Sequence, residues 1–193
     1  VNAPGPQKPI LDLSFAHNWR VEILPARPLI LPQRSYVYPV QAEEVERGAL
    51  EILVFNRSDP QPFLATCALG FRDPAVPTGV WACPDADELC AVSGGYAYVI
   101  DSANPSRFTM LPLRPVLEVF AVPAPRLLLF VAHHSILAWG RLGLAWQSEK
   151  LSDEGLTITG IDSATVHGRG WQMISDTESP FSLDLQSGRR IGA

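Results

Sequence analysis

The sequence is short of basic runs, of long apolar runs and of cysteine, and each shortage excludes a class of protein. Its 15 Lys and Arg are outnumbered by 20 Asp and Glu, for a net charge of −5. The nearest approach to a basic run is Arg189-Arg190. Nonspecific nucleic-acid binding needs a basic surface that displaces counterions from phosphates, so no nucleic-acid partner is expected. The longest apolar stretch, around Leu127 to Val131, has the length of a strand. A membrane-spanning helix takes about 20 apolar residues, so no membrane partner is expected either. The three cysteines are Cys67, Cys83 and Cys90. An odd count without a Cys-x-x-Cys spacing speaks against a disulfide framework, a thiolate metal site and a redox motif. They read as buried free thiols in a reducing compartment, which makes the cytoplasm the expected location.

Charge is also scarce, at 18% of residues against 47% hydrophobic. That balance leaves enough apolar surface to offset the entropy of ordering the chain. With 193 residues the chain reads as a single domain, 1–193, able to bury a core without metal or disulfide staples. The 18 prolines and 14 glycines punctuate the text into many short elements. Residues 1–9 (VNAPGPQKP) contain three prolines and read as a loose leader without signal-peptide blocks. Residues 10–78 read as irregular strands. In Trp19 to Leu24 the apolar Trp19, Val21 and Ile23 alternate with Arg20 and Glu22, the pattern of a half-buried strand. Ser35 to Val40 reads as an edge strand, and Ala49 to Phe55 with Phe63 to Phe71 as a hairpin. Gln41 to Arg47, acidic and ended by Gly48, is the one good local helix candidate.

Residues 79–193 carry an internal repeat of about 39 residues. Val80 to Asp101 (VWACPDADELCAVSGGYAYVID) aligns without a gap on Val119 to Gly140 (VFAVPAPRLLLFVAHHSILAWG). Pro84 falls on Pro123, Leu89 on Leu128, Val92 on Val131 and Tyr98 on Leu137. Each unit reads as strand, turn, strand, two-residue turn, strand, with Gly94-Gly95 and His133-His134 as the tight turns. A fourth strand is expected at Arg107 to Leu111 in the first unit and Leu144 to Leu151 in the second. A third unit follows from Leu156 to Ile191, with Ser175 to Ser179 as an inserted interruption before Phe181, Leu183 and Leu185. Four short strands recurring near 40 residues resemble β-propeller repeats, most closely in GRGWQMISD followed by FSLDLQSGRRI. The resemblance implies an all-β fold of repeated antiparallel four-stranded meanders, four to five blade-sized sheets in this length. A barrel or a sandwich of meanders is the structural alternative.

No catalytic signature stands in the text. Neighbouring residues of a strand point to opposite faces, so His133 and His134 ligate one ion only if a turn brings them together, and a metal needs three or four ligands. Asp85-Ala86-Asp87-Glu88 lacks the glycine and ligand count of a calcium loop and reads as a solvated turn. Gly168-Arg169-Gly170 lacks the rest of a dinucleotide fingerprint. No metal site, catalytic residue or cofactor is therefore nominated. Trp and Arg are enriched at binding hot spots, and loops of small β domains carry specificity. On that basis His133, His134, Trp139, Arg141, Trp171 and Asp176 are the candidate binding residues. The expected function is a non-catalytic ligand- or protein-binding or scaffold module, with a protein partner or a second copy of the chain as the partner. The alternative is a hydrolase or lyase whose loop-built site joins His134 or His167 to Asp162 or Asp176.

Overall fold

The computed structural model describes residues 8–40 and 47–192. The leader up to residue 7, and the helix candidate Gln41 to Arg47 apart from Arg47 itself, lie outside the described residues. The described residues carry sixteen β-strands, so the chain is all-β. It divides into two compact units, residues 1–115 and 116–193.

The first unit holds two sheets. One contains β2 (Trp19–Leu24), β3 (Ser35–Tyr38), β4 (Ala49–Asn56) and β5 (Phe63–Ala68), in the order β2-β4-β5-β3. β4 and β5 form the expected antiparallel hairpin, and β3 closes one side parallel to β5. The other sheet contains β1 (Ile10–Asp12), β6 (Gly79–Ala82), β7 (Glu88–Ser93), β8 (Tyr96–Asp101) and β9 (Phe108–Met110), in that order. β6 to β9 form a meander, and β1 adds a fifth, parallel strand at its edge. The β7–β8 hairpin turns on Gly94 (φ 54) and Gly95 (φ 76). A two-residue turn that matches strand twist needs positive φ at both positions, which is why the sequence puts glycine there twice. Polar side chains tie the two sheets together. The Trp19 indole donates to the Glu88 carbonyl at 3.0 Å, the Tyr98 hydroxyl to the Ala68 carbonyl at 3.0 Å, and the Asn56 amide to the Ser102 hydroxyl at 2.8 Å.

The second unit also holds two sheets. The first is the meander β10 (Glu118–Val122), β11 (Leu127–Val131), β12 (Ile136–Gly140) and β13 (Gly143–Gln147). The second is β14 (Leu156–Ile161), β15 (Thr165–Gln172) and β16 (Thr177–Asp184). One core joins them: Leu129, Val131, Ile136 and Ala138 from the first pack with Val166, Phe181 and Leu183 from the second. Trp146 belongs to the same core and donates its indole N–H to the Leu185 carbonyl at 2.7 Å. Polar main-chain and ring groups are thus satisfied where the core closes.

The structure corrects several details of the sequence reading. Among the described strands, no sheet closes into a barrel. The β6–β9 sheet has five strands and the last sheet three among the described residues, so the meanders are not uniformly four-stranded. The fourth strand of the second meander ends at Gln147, before Leu151; Ser148 to Leu151 instead bond back to the β11–β12 turn and the start of β12. The supposed interruption Ser175 to Ser179 is largely strand, because β16 begins at Thr177. The extra residues lengthen the hairpin, with Gln172 opposite Thr177 and Met173 to Asp176 as its tip.

Gly188 tests how tightly the second core is closed. It sits at φ 67, and a Cβ placed on it would lie 2.4 Å from the Trp146 ring. Gly155 has a similar left-handed backbone (φ 80) but open space around it. Gly155→Ala is expected to cost about 1 kcal/mol, for backbone conformation alone. Gly188→Ala is expected to cost about 2–4 kcal/mol, because displacement of Trp146 adds to the same backbone term. Urea unfolding of the two variants measures the difference; equal midpoints would show that Trp146 does not close on Gly188.

Candidate functional site

The β11–β12 hairpin brings the two adjacent histidines to a turn. Val131 faces Ile136, and the Ala132 amide donates to the Ser135 carbonyl at 3.0 Å, leaving His133 and His134 at the corner. Their rings lie 6.1 Å apart and tilted by 49°. Among the described residues no three His, Cys, Asp or Glu side chains assemble into a metal-ligand group.

The segment from Lys150 to Gly155 joins that turn to the tip of the neighbouring β15–β16 hairpin. The Leu151 amide donates to the His134 carbonyl at 2.7 Å, and His134 Nδ1 lies 3.2 Å from the Ser152 carbonyl. From the other side, the Asp153 amide donates to the Trp171 carbonyl at 2.8 Å, and Gln172 donates from its side chain to the Leu151 carbonyl at 3.0 Å. The buried Ser152 hydroxyl reaches the Gly155 and Trp171 carbonyls at 2.7 and 3.0 Å. Asp153 accepts from Lys150 at 2.6 Å and from the Met173 amide at 2.8 Å. Those two partners, the Lys150 ammonium first, and the nearby His134 hold its carboxyl below the usual carboxylate range. Above this framework stands an apolar tip, Met173 at 65% and Ile174 at 102% exposure. Asp176 ends the tip in a left-handed conformation (φ 51) that aspartate tolerates better than most residues.

Four of the six candidate residues, His133, His134, Trp171 and Asp176, therefore gather at these two linked hairpin turns. Trp139 and Arg141 do not. Trp139 is a buried core residue at 6% exposure. Arg141 is exposed in the β12–β13 turn, separated from the histidine turn by the length of β12, about 16 Å. It lines a shallow cleft with Arg126, Leu142 and Leu144.

The His–carboxylate pairs take a form the sequence only half anticipates. His167 Nε2 lies 3.2 Å from Asp162 Oδ2, and its Nδ1 lies 2.9 Å from Ser182 Oγ. Register explains the second contact, because His167 on β15 stands directly opposite Ser182 on β16. Asp162 is fixed by its own turn, accepting from the Ala164 and Thr165 amides at 2.8 Å each. The Ala164 amide first, then His167 and the Thr165 amide, hold its carboxyl low. His134 lies near Asp153, a carboxylate the sequence reading did not single out, and its own ring nitrogen contacts the Ser152 carbonyl. Ser182, Lys150 and Ser152 were likewise missed. Nothing in their local text marks them; strand pairing and the path of one connection bring them in.

The three cysteines are buried, and burial pushes every thiol pKa up. They stay protonated and serve as small core residues rather than nucleophiles. No helix among the described residues is long and apolar enough to cross a membrane. No protein-family model matches the chain, and no curated protein matches it significantly.

The low-held carboxylates make an acid signature. A carboxylate with a depressed folded pKa binds fewer protons in the fold than in the unfolded chain. Its stabilisation is present above the ordinary carboxylate range and is lost as pH falls through the folded value. Thermal melts of the wild type are expected to decline below about pH 4. Asp162→Asn, which keeps the acceptor for the two amides but not the charge beside His167, is expected to start less stable and decline less. Parallel declines in the two proteins would contradict the role assigned to Asp162.

Proposed function

We propose that the chain is a non-catalytic protein-binding module built from blade-like repeats, and that it recognises its partner at the linked hairpin turns of the second unit. The observation that carries this reading is the apolar tip Met173-Ile174, exposed above a rim of Lys150, Asp153, Asp176 and the two histidines. An exposed apolar patch bordered by charge is the usual anatomy of a protein contact. The rim is pre-ordered by the hydrogen bonds of residues 150–155, so little ordering entropy opposes binding.

Pairing registers support the repeat. Val80 faces Ala91 and Val119 faces Phe130; Ala91 faces Tyr98 and Phe130 faces Leu137. Every partner is displaced by 39 residues. Ala121 opposite Leu128 recurs in the third meander as Gly160 opposite His167, after a bulge at Ile158 to Gly160. In this reading the hairpin turns at Gly94-Gly95, His133-His134 and Met173 to Asp176 are equivalent positions of successive blades.

A photo-cross-linking residue at position 174 tests the reading against one at Leu142, an equally exposed site at the other end of β12–β13. A protein adduct specific to position 174 is expected, with Met173→Asp weakening its capture at least about tenfold while the melting temperature stays unchanged. Identical adducts from positions 174 and 142 would overturn it.

The Asp162–His167–Ser182 array favours a second reading, a serine hydrolase. His167 would take the Ser182 proton as the oxygen adds to an ester carbonyl and return it to the departing alcohol. Water would then release the acid from the acyl-serine by the same route, and Asp162 would hold the ring and the charge that forms on it. This reading predicts hydrolysis of p-nitrophenyl acetate that is abolished in Ser182→Ala. Turnover equal in wild type and Ser182→Ala would exclude it.

A further inference from the structure

We propose that β2 is a self-association edge, at which two copies of the chain pair β2 against β2, antiparallel, about a two-fold axis through Val21. The proposal is independent of the hairpin-turn surface and rests on the first unit alone.

β2 ends its sheet, with β4 on one side and no described strand on the other. Two hydrogen bonds set the phase of its backbone. The Arg57 amide donates to the Asn18 carbonyl at 2.8 Å, and the Leu69 amide to the Gly48 carbonyl at 2.9 Å. The first turns the Asn18 carbonyl toward β4. The second turns Gly48 toward β5, and alternation along β4 then leaves Glu51, Leu53 and Phe55 facing β2, opposite Leu24, Glu22 and Arg20. Both observations agree that the N–H and C=O groups of Arg20, Glu22 and Leu24 face β4. Those of Trp19, Val21 and Ile23 face outward.

A two-fold axis at Val21 matches that phase. It sets Val21 opposite Val21 and Trp19 opposite Ile23, so each outward group meets an outward group. The same register sets Arg20 opposite the second copy's Glu22, twice. Both side chains are exposed on the outer face, and the Arg20 guanidinium carbon lies over the Phe55 ring, 3.4 Å from its centre. Opposite charges directly across a strand pair attract, and like charges repel.

The inner face is apolar. Val21 and Ile23 line a groove with Leu11 and Pro9 beside this edge. Ile10, Leu11 and Leu13 next to it are 41–50% exposed. The second copy's Trp19, Val21 and Ile23 would extend the sheet along that groove. Edge strands that avoid pairing carry charges of one sign (lysine above all), prolines, bulges or inward charges. Between Trp19 and Leu24, β2 has no lysine, proline, bulge or inward charge, and its two charges are of opposite sign. Its alternation of sign instead makes a second copy of the same strand the complementary partner.

Sedimentation equilibrium of the full chain tests the proposal by charge exchange. The wild type is expected to dimerise at micromolar concentration. Arg20→Glu and Glu22→Arg should each weaken the dimer at least about tenfold, since each places like charges in both cross-strand pairs. An equimolar mixture of the two variants should restore a dimer, and so should the double variant. A disulfide trap gives a second measurement: Arg20→Cys mixed with Glu22→Cys should cross-link on mild oxidation, because facing residues of this kind lie about 4.5 Å apart at Cα. Either variant alone should cross-link far less. A monomeric wild type, single variants that dimerise as the wild type does, or a mixture that neither reassociates nor cross-links would overturn the proposal.

Discussion

Three inner strands of this protein, β7, β11 and β12, are apolar on both faces. On β7, β11 and β12 nearly every residue is buried, with Leu89 to Val92 and Leu128 to Phe130 almost without exposure. A strand of that kind must be covered twice and must find hydrogen bonds for every peptide group within its own sheet. Those two demands account for the short connections, the glycine turns and the polar side chains that bridge sheets. They also keep charged residues out of the middle of these three strands. What remains for recognition is the hairpin tips and the outer strands, and the two surfaces proposed above lie there.

The two surfaces differ in physical character. The hairpin turns of the second unit are held by side-chain and main-chain bonds of one connection, residues 150–155, whose loss would separate the His134 turn from the Trp171 end. The β2 edge needs no such framework. In the proposed pairing its specificity comes from backbone phase and from the alternation of Arg20 and Glu22. The Asp162–His167–Ser182 array occupies a third kind of position, the open face of a sheet, where strand register sets His167 opposite Ser182 and the β14–β15 turn fixes Asp162.

The strands were legible wherever one residue type recurs with a two-residue period or an apolar run is bounded by turn residues. Trp19 to Leu24, the Gly94-Gly95 hairpin and the His133-His134 turn are of this kind, and all three appear where the pattern puts them. The Ser175 to Ser179 segment was misread because the repeat was assumed to keep constant strand length. Polar residues at the end of a long hairpin look the same in text as an inserted loop. The β1–β6 and β3–β5 pairs are parallel, and no local signal announces a partner many residues away.

Of the candidate site, residue type pointed to His133, His134, Trp171 and Asp176 but also to Trp139, which the core claims, and Arg141, which the opposite turn carries off. Sequence alone determined the strand class and the positions of the glycine and histidine turns, because these follow from side-chain period and backbone sterics within a few residues. Only the tertiary structure decided that Asp162 lies against His167, that Ser182 faces His167, and that β2 ends its sheet among the described strands. Those facts depend on register and on sheet order, which are set by the packing of segments far apart in the chain.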